Sequence, residues 1–261
     1  MTDMQISRPT TDLAERAATL LDLHRPGDPL VLVNAWDVAS ATTVVAAGAR
    51  AVGTSSAAMA AVLGIPDAPE APLDTIFAAI ARITHAVDVP VTADLFDGYG
   101  LPAGELVDRL LEAGAVGCNL EDSDHARGSG LLDPGVVGAR LHAVRDAATR
   151  AGVPVVLNAR IDCLLHTDDR AAALAEIVDR ARRYLDAGAD CVFPVRLADP
   201  DDVRTVVGAV GAAVNASWTP AVALPALAAA GARRVSMGPQ AHARTLATLD
   251  QFARPLLAPA G

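Results

Sequence analysis

The stretch Leu110-Leu111-Glu112-Ala113-Gly114-Ala115-Val116-Gly117-Cys118-Asn119-Leu120-Glu121-Asp122 decides the fold. A helix-like segment stops at Ala113-Gly114-Ala115, a short continuous apolar run follows, and two acids stand directly behind it. Glycine after a last helical turn takes the left-handed cap from which a chain enters a strand. Ala-Gly-Ala recurs at 47–49, 187–189 and 230–232, each time ahead of another apolar run, at 51–54, 191–195 and 234–237. Further runs stand at 30–33, 90–93 and 154–157, with a weaker one at 212–215. Continuous apolar runs, in place of alternation, imply strands covered on both faces, hence a parallel sheet with helical crossovers. Eight strands alternating with helices match an α/β fold of the (β/α)8 TIM-barrel type, an open doubly wound sheet being the other arrangement. A length of 261 residues fits one such domain. The expected organisation is an N-terminal helical segment over 1–27, the barrel over 28–250 and a tail over 251–261. Pro255 and Pro259 limit any helix in that tail.

Composition then narrows the chemistry. The chain holds 31 acidic residues against 21 basic ones, all arginine, for a net charge of −10. Nucleic-acid binding needs clustered positive charge and is not expected. With no lysine, Schiff-base aldolase chemistry, pyridoxal phosphate attachment and the phosphate-cradling P-loop are all excluded. A carbanion formed here must be stabilised by a metal ion, backbone N–H groups or arginine. Cys118, Cys163 and Cys191 lie in apolar runs and form an odd set, which suits buried thiols in a reducing cytoplasm. The first 15 residues lack the basic and apolar regions of a signal peptide, and no apolar stretch reaches membrane-spanning length. The expectation is a cytoplasmic protein with no membrane partner.

In a barrel, chemistry lies beyond the C-terminal strand ends. The polar residues that follow the apolar runs include Asn34, Trp36, Asp37, Ser55, Ser56, Asp94, Asn119, Glu121, Asp122, Asn158, Arg160, Asp162, Asn215 and Ser217. Asp94 and Glu121 end adjacent strands. With room for water between them they suit Mg²⁺, or they are a pair of solvated or arginine-paired rim carboxylates. The fork of Arg160 matches a substrate carboxylate or a developing enolate oxygen, or it neutralises Glu121 or Asp122. Ser55, Ser56 and Ala57 can offer amides and hydroxyls to an anion, or form a tight turn. Trp36, Asp37 and Asn215 are further substrate-binding candidates on the same rim, with core packing as the alternative for Trp36. His125 and Ser123 sit in the polar, glycine-rich segment 122–130. His125 is the imidazole there that suits a proton donor or acceptor, or it is a solvated loop residue. Tyr99, bracketed by glycines, can donate to a substrate oxygen or pack at the barrel mouth.

Six segments in order resemble the successive signatures of the isocitrate lyase and phosphoenolpyruvate mutase superfamily: Asn34-Ala35-Trp36-Asp37, Thr54-Ser55-Ser56, Gly64-Ile65-Pro66-Asp67, Ala93-Asp94-Leu95-Phe96-Asp97-Gly98-Tyr99-Gly100, Asn119-Leu120-Glu121-Asp122-Ser123 and Asn158-Ala159-Arg160-Ile161-Asp162. The resemblance implies a barrel enzyme using Mg²⁺ or Mn²⁺ to chelate a small α-keto or α-hydroxy carboxylic acid. Members cleave or form C–C or P–C bonds through an enolate. By position it implies Asp94 and Glu121 as anchors of a hydrated metal, with Asp67 reaching in from a loop. Ser55, Ser56 and Ala57 would hold the carboxylate or phosphonyl end, and Arg160 would offset enolate charge. Homo-oligomers are usual in the superfamily, and one is expected here.

Two departures stand out. Phe96 occupies the place of the family's second acid, and strand alternation would point it to the same side as Asp94, so Asp97 could substitute only across a bulge. The segment 122–130 carries no Cys, whereas isocitrate and methylisocitrate lyases place a Lys-Cys-Gly-His motif there as general acid. That counts against those two activities and leaves decarboxylase, hydrolase, mutase or another lyase activity, or a retired barrel that only binds a carboxylate. The glycine-rich segment suits a mobile gate that excludes water.

Overall fold

Gly48, Gly114, Gly188 and Gly231, the centres of the four repeated tripeptides, all adopt positive φ between 78° and 101°. In each, the alanine before the glycine donates its N–H back into the helix and the chain turns out into a strand. The structure, a computed structural model, describes residues 10–257. Its first half runs α1 (Thr10–Asp22), β1 (Leu30–Leu32), α2 (Val38–Ala46), β2 (Val52–Gly53), α3 (Ser56–Leu63), α4 (Leu73–Ala86), β3 (Val91–Asp94), α5 (Ala103–Glu112) and β4 (Gly117–Leu120). The second half runs α6 (Pro134–Arg150), β5 (Val156–Ile161), α7 (Cys163–His166), α8 (Arg170–Asp186), β6 (Cys191–Pro194), α9 (Pro200–Val210), β7 (Ala213–Ser217), α10 (Leu224–Ala229), β8 (Arg234–Ser236) and α11 (Gln240–Leu257).

All eight strands are parallel, in the ring order β1-β8-β7-β6-β5-β4-β3-β2. The ring closes between β1 and β2 through one bridge, Ala35 to Thr54. This is the (β/α)8 barrel read from the sequence, and the open doubly wound sheet is excluded. The tail expected from residue 251 is helical as far as Leu257, with Pro255 in the last turn of α11. Proline costs a helix most in its interior, where it removes a hydrogen bond and meets the preceding turn. Residues 1–9 and 258–261 of the expected end segments lie outside the described residues.

The helices pack as amphipathic staves. α5 turns Leu106, Val107 and Leu110 inward, and each buried leucine stabilises the fold by about 1.5–3 kcal/mol. α1 buries Leu13, Ala17 and Leu20 at helical spacing and packs against the barrel. Leu20 approaches Gly117 so closely that a Cβ there would sit 2.8 Å from its Cδ2, so only glycine lets β4 start against this helix. Cys118, Cys163 and Cys191 are free and buried, and burial pushes each thiol up to about 12. No described helix is long and apolar enough to cross a membrane.

Barrel interiors are usually filled by branched apolar residues. Here Asn119, Asn158, Asn215 and Arg234 stand on the strands and are all buried.

His24, just beyond α1, bonds through Nδ1 to the Leu20 carbonyl at 2.9 Å. Burial, reinforced by the charge of Arg234, lowers its pKa from 6.5 to about 4. The folded protein therefore keeps this imidazole neutral while the unfolded chain takes up a proton below 6.5. Its contribution to stability is complete above that pH and is lost as pH falls towards 4. At about pH 5 the loss is roughly 2 kcal/mol relative to neutral pH. His24→Asn should lose correspondingly less between those conditions, measured by urea unfolding. Equal acid sensitivity in the two proteins would show that His24 is not the group responsible.

Candidate active site

The carboxyl ends of β2, β3, β4 and β5 bring together residues from four loops. At the end of β3, Asp94 accepts through Oδ2 from the backbone N–H and the hydroxyl of Ser56, at 3.3 and 3.1 Å. Its own N–H donates to Thr54 Oγ1 at 3.0 Å. Ser56 opens α3, so the first helical turn holds this carboxylate. Beyond β4, Glu121 is 5% exposed and meets a nitrogen side chain on each oxygen. Arg160 Nη1 lies 2.5 Å from Oε2, and His125 Nε2 lies 2.5 Å from Oε1.

Arg160 turns the rest of its fork onto Asp162, with Nε at 2.7 Å from Oδ1 and Nη2 at 3.0 Å from Oδ2. Ser123 Oγ donates to Asp162 Oδ2 at 2.6 Å. Behind it stands His166 at the end of α7. Its Nδ1 accepts the Gly130 N–H at 3.3 Å, so Nε2 carries the proton and faces Ser123 Oγ at 3.4 Å. Together these groups line an open cleft of about 240 Å³ that also takes in Ser56, Asp67 and Asp124.

Beside the cleft lies a recess of about 10 Å³, lined by Met59, Ala60, Ile65, Ile76, Phe96 and Tyr99 and reaching Ser56, Asp67 and Asp94. Phe96 and Tyr99 both take the left-handed region, at φ 53° and 57°, where side chains are strained and which is common near functional sites. The Phe96 ring stacks at 5.4 Å on Tyr99 and at 5.3 Å, edge-on, on His125. β3 has ended before this turn, so strand alternation does not govern position 96.

Asp67, Asp94 and Glu121 share the mouth, and burial works against the charge of Glu121 and Asp67. Burial pushes Glu121 up to about 8 against the pull of Arg160, with Asp162 and Asp94 adding repulsion. Asp67 is raised by burial and by Asp94, with the Ser56 hydrogen bond opposing. Tyr99 is driven well above its usual range by burial and by Asp94, so its hydroxyl stays a donor.

A hard divalent cation with oxygen ligands would relieve this repulsion, and the donor chemistry fits Mg²⁺ or Mn²⁺. Among the described residues no three His, Cys, Asp or Glu side chains converge as a direct metal cage. An ion held by Asp67, Asp94 and Glu121 would have to keep much of its hydration shell.

Of the residues expected at the mouth, Asp67, Asp94, Glu121, Arg160, Ser56, Ser123, His125 and Tyr99 do gather there. Others turn elsewhere. Asp97 accepts from the Tyr99 N–H at 2.8 Å and lies 3.4 Å from Arg140 on α6, so its carboxylate serves the turn and not the mouth. Asp37 caps α2 in a reciprocal box with Ser40. Ser55 caps α3 from a buried position, which places Ala57 in that helix's first turn. Trp36 packs edge-on against His242 at 4.9 Å. Asn215 is fully buried in the lumen, where its Oδ1 accepts from Ser236 Oγ at 3.1 Å. Sequence reasoning missed His166 and left Asp162 without a role. The available signal was a histidine four residues after an acid at a strand end, the spacing of one helical turn.

Acids gathered around one forked guanidinium at the carboxyl ends of a parallel barrel stand where (β/α)8 enzymes carry out their chemistry. This chain belongs to the phosphoenolpyruvate phosphomutase family, whose model matches residues 20–257. Among solved structures it is similar to a protein of Burkholderia cenocepacia J2315 provisionally assigned as a phosphonomutase, at 36% identity and a TM-score of 0.85 over 92% of this chain and 99% of that one. It is also similar to 2,3-dimethylmalate lyase, described as a member of the PEP mutase/isocitrate lyase superfamily, at 25% identity and a TM-score of 0.82 over 94% and 88% of the two chains. In sequence it is 30% identical to 2-methylisocitrate lyase of Salmonella typhimurium, over 69% of this chain and 65% of that one.

Proposed function

We propose that the protein is a divalent-cation-dependent lyase that breaks or forms a C–C bond next to the keto or hydroxy group of a small carboxylic acid, through an enolate. The observation that carries this reading is the gathering of three acids at the mouth, exposed Asp67, half-buried Asp94 and buried Glu121, beside Arg160 in a chain without lysine. Cleaving a bond α to a carbonyl leaves an enolate, and no amine is present to form an iminium. Mg²⁺ or Mn²⁺ held by the three acids supplies the electron sink in its place.

The chain's own residues do the rest. Arg160 presents charge to the substrate carboxylate or the developing oxyanion. His125 and Glu121 face each other across one hydrogen bond at the cleft, and Tyr99 donates from its phenol. Ser123, fixed by Asp162 and His166, presents a hydroxyl at the cleft. Segment 122–131 covers the mouth and excludes water. The apolar recess beside Asp94 is about the size of one water but offers water few partners, so it suits a methyl branch of the substrate. A homo-oligomer is consistent with α11, on which Leu246, Leu249 and Phe252 all stand exposed.

Likeness to the Burkholderia protein supports a second reading, P–C bond chemistry on a phosphonopyruvate-like acid. Against it, Arg160 is the only arginine among the described residues that line the cleft, which offers a phosphonate little positive charge. The test is purified protein with Mg²⁺ or Mn²⁺ and a panel of oxaloacetate, alkylmalates and phosphonopyruvate, with proton and phosphorus NMR as readouts. A 2-keto acid should form only with the cation, and loss of a phosphonate resonance would favour the second reading. Cation and oxalate binding without turnover would mark a barrel that has kept its ligand and lost its chemistry. No turnover and no Mn²⁺ binding by calorimetry would remove the enzymatic reading.

A further inference from the structure

Arg234 opens β8 and is 1% exposed, yet it has no carboxylate partner among the described residues. Its Nη2 donates to Asn119 Oδ1 at 3.1 Å, while Nε and Nη1 meet no hydrogen-bond acceptor. β8 and β4 stand four places apart in the eight-membered ring, so this side chain crosses the lumen from one wall to the other. Asn119 also takes the Nδ2 of Asn158 at 2.8 Å. Residues two apart on a strand share a face. Asn119 therefore stands beneath Glu121 and Asn158 beneath Arg160, and Asn119 pairs in register with Asp94. The guanidinium occupies the layer below the mouth.

A buried charge with one neutral hydrogen bond is strongly unfavourable unless another charge compensates it. Directly above lies a group with the opposite need, three acids facing Arg160. Of the groups whose charge is felt at Arg234, the buried Cys191 thiol comes first and Asp94 is the carboxylate among them.

We infer that Arg234 is a positioning residue, an internal counter-charge fixed across the lumen by Asn119 that offsets the repulsion among Asp67, Asp94 and Glu121 and holds Asp94 in place. The charge acts through the barrel interior, where low polarisability keeps it effective over distances at which surface charges are screened. It lets the acids of the mouth stay assembled when no cation is bound. This deepens the reading of the mouth as a cation site, but its test needs no cation.

The experiment is a double-mutant cycle of Arg234→Gln and Asp94→Asn, followed by thermal unfolding of the full chain in EDTA. If Arg234 serves Asp94, removing the aspartate charge is more favourable once the arginine is gone. D94N should then shift the melting temperature about 3 °C more favourably in the R234Q background than in the wild type. R234K keeps the charge, so D94N should act in that background as it does in the wild type. An arginine that serves only as a hydrogen-bonding post would make the two substitutions additive, and additivity overturns the inference.

Arg234→Met gives the same cycle if the glutamine variant does not fold. Folding restored by D94N would be the expected coupling in its strongest form. Failure to fold in both backgrounds would mark Arg234 as a purely structural post and overturn the inference. Mn²⁺ calorimetry on the wild type reports separately on the cation site, so the two ideas can fail independently.

Discussion

Asp122→Ala is expected to destabilise the protein by about 3–5 kcal/mol, the usual cost of removing one partner of a buried ion pair. Asp122 has no exposed side-chain surface and accepts three bonds: from the Asp162 N–H at 2.9 Å, Arg180 Nη1 at 3.1 Å and the Tyr184 hydroxyl at 2.8 Å. Without it, Arg180 on α8 keeps Glu176 and the Leu132 carbonyl but loses its buried counter-ion. The Asp162 amide loses its acceptor altogether. A melting temperature lower by about 10 °C corresponds to this loss for a chain of this size. Asp122→Asn, which keeps the side chain's size and one acceptor oxygen, should cost less. Chemical denaturation decides it, and a loss below about 1 kcal/mol would mean that the ion pair is not compensating a buried charge. Because Asp122 also fixes the turn that sends Glu121 inward, the stability loss should come with weaker cation binding.

The second large effect is chemical. Arg160→Gln is expected to lower kcat by about 10²- to 10³-fold on whichever acid the protein turns over, the range typical for removal of one oxyanion-stabilising group. Cation affinity should move the other way. Arg160 Nη1 sits against Glu121, so its removal frees that carboxylate and raises the affinity for Mn²⁺. Opposite changes in kcat and Kd would separate lost transition-state stabilisation from a collapsed site. A variant that loses turnover and cation binding together would place Arg160 among structural supports.

The ring of strands was legible because its punctuation is local: a glycine with positive φ after a helix is a property of three residues, and it recurs four times. The acids Asp94 and Glu121 were legible because one ends its strand and the other stands one residue past its strand, where a barrel collects side chains. Direction was harder to read. Asp37 and Ser55 have the residue types of anion binders and also of helix caps, and the cap prevailed at both because a helix begins immediately after each. Asp97 turned away because its carboxylate is taken by the Tyr99 N–H and Arg140, and no bulge brings it back beside Asp94. His166 comes to the mouth because the short α7 starts just past the end of β5. Arg234 counts as a lumen charge only once β8 is known to face β4. Those two facts depend on closure of the ring, which no short window of residues contains.

The closure itself has a weak place. Seven of the eight strand junctions are continuous ladders, while the eighth rests on one bridge with two backbone hydrogen bonds, Ala35 to Gly53 and Ser55 to Ala35. Stability in a folded chain is uneven, and opening concentrates where the fewest bonds must break. The barrel is thus a hoop with one loosely riveted stave joint. The rivet lies beside Ser56, the residue that grips Asp94, so breathing of the wall and the seating of an acid at the mouth are mechanically the same event.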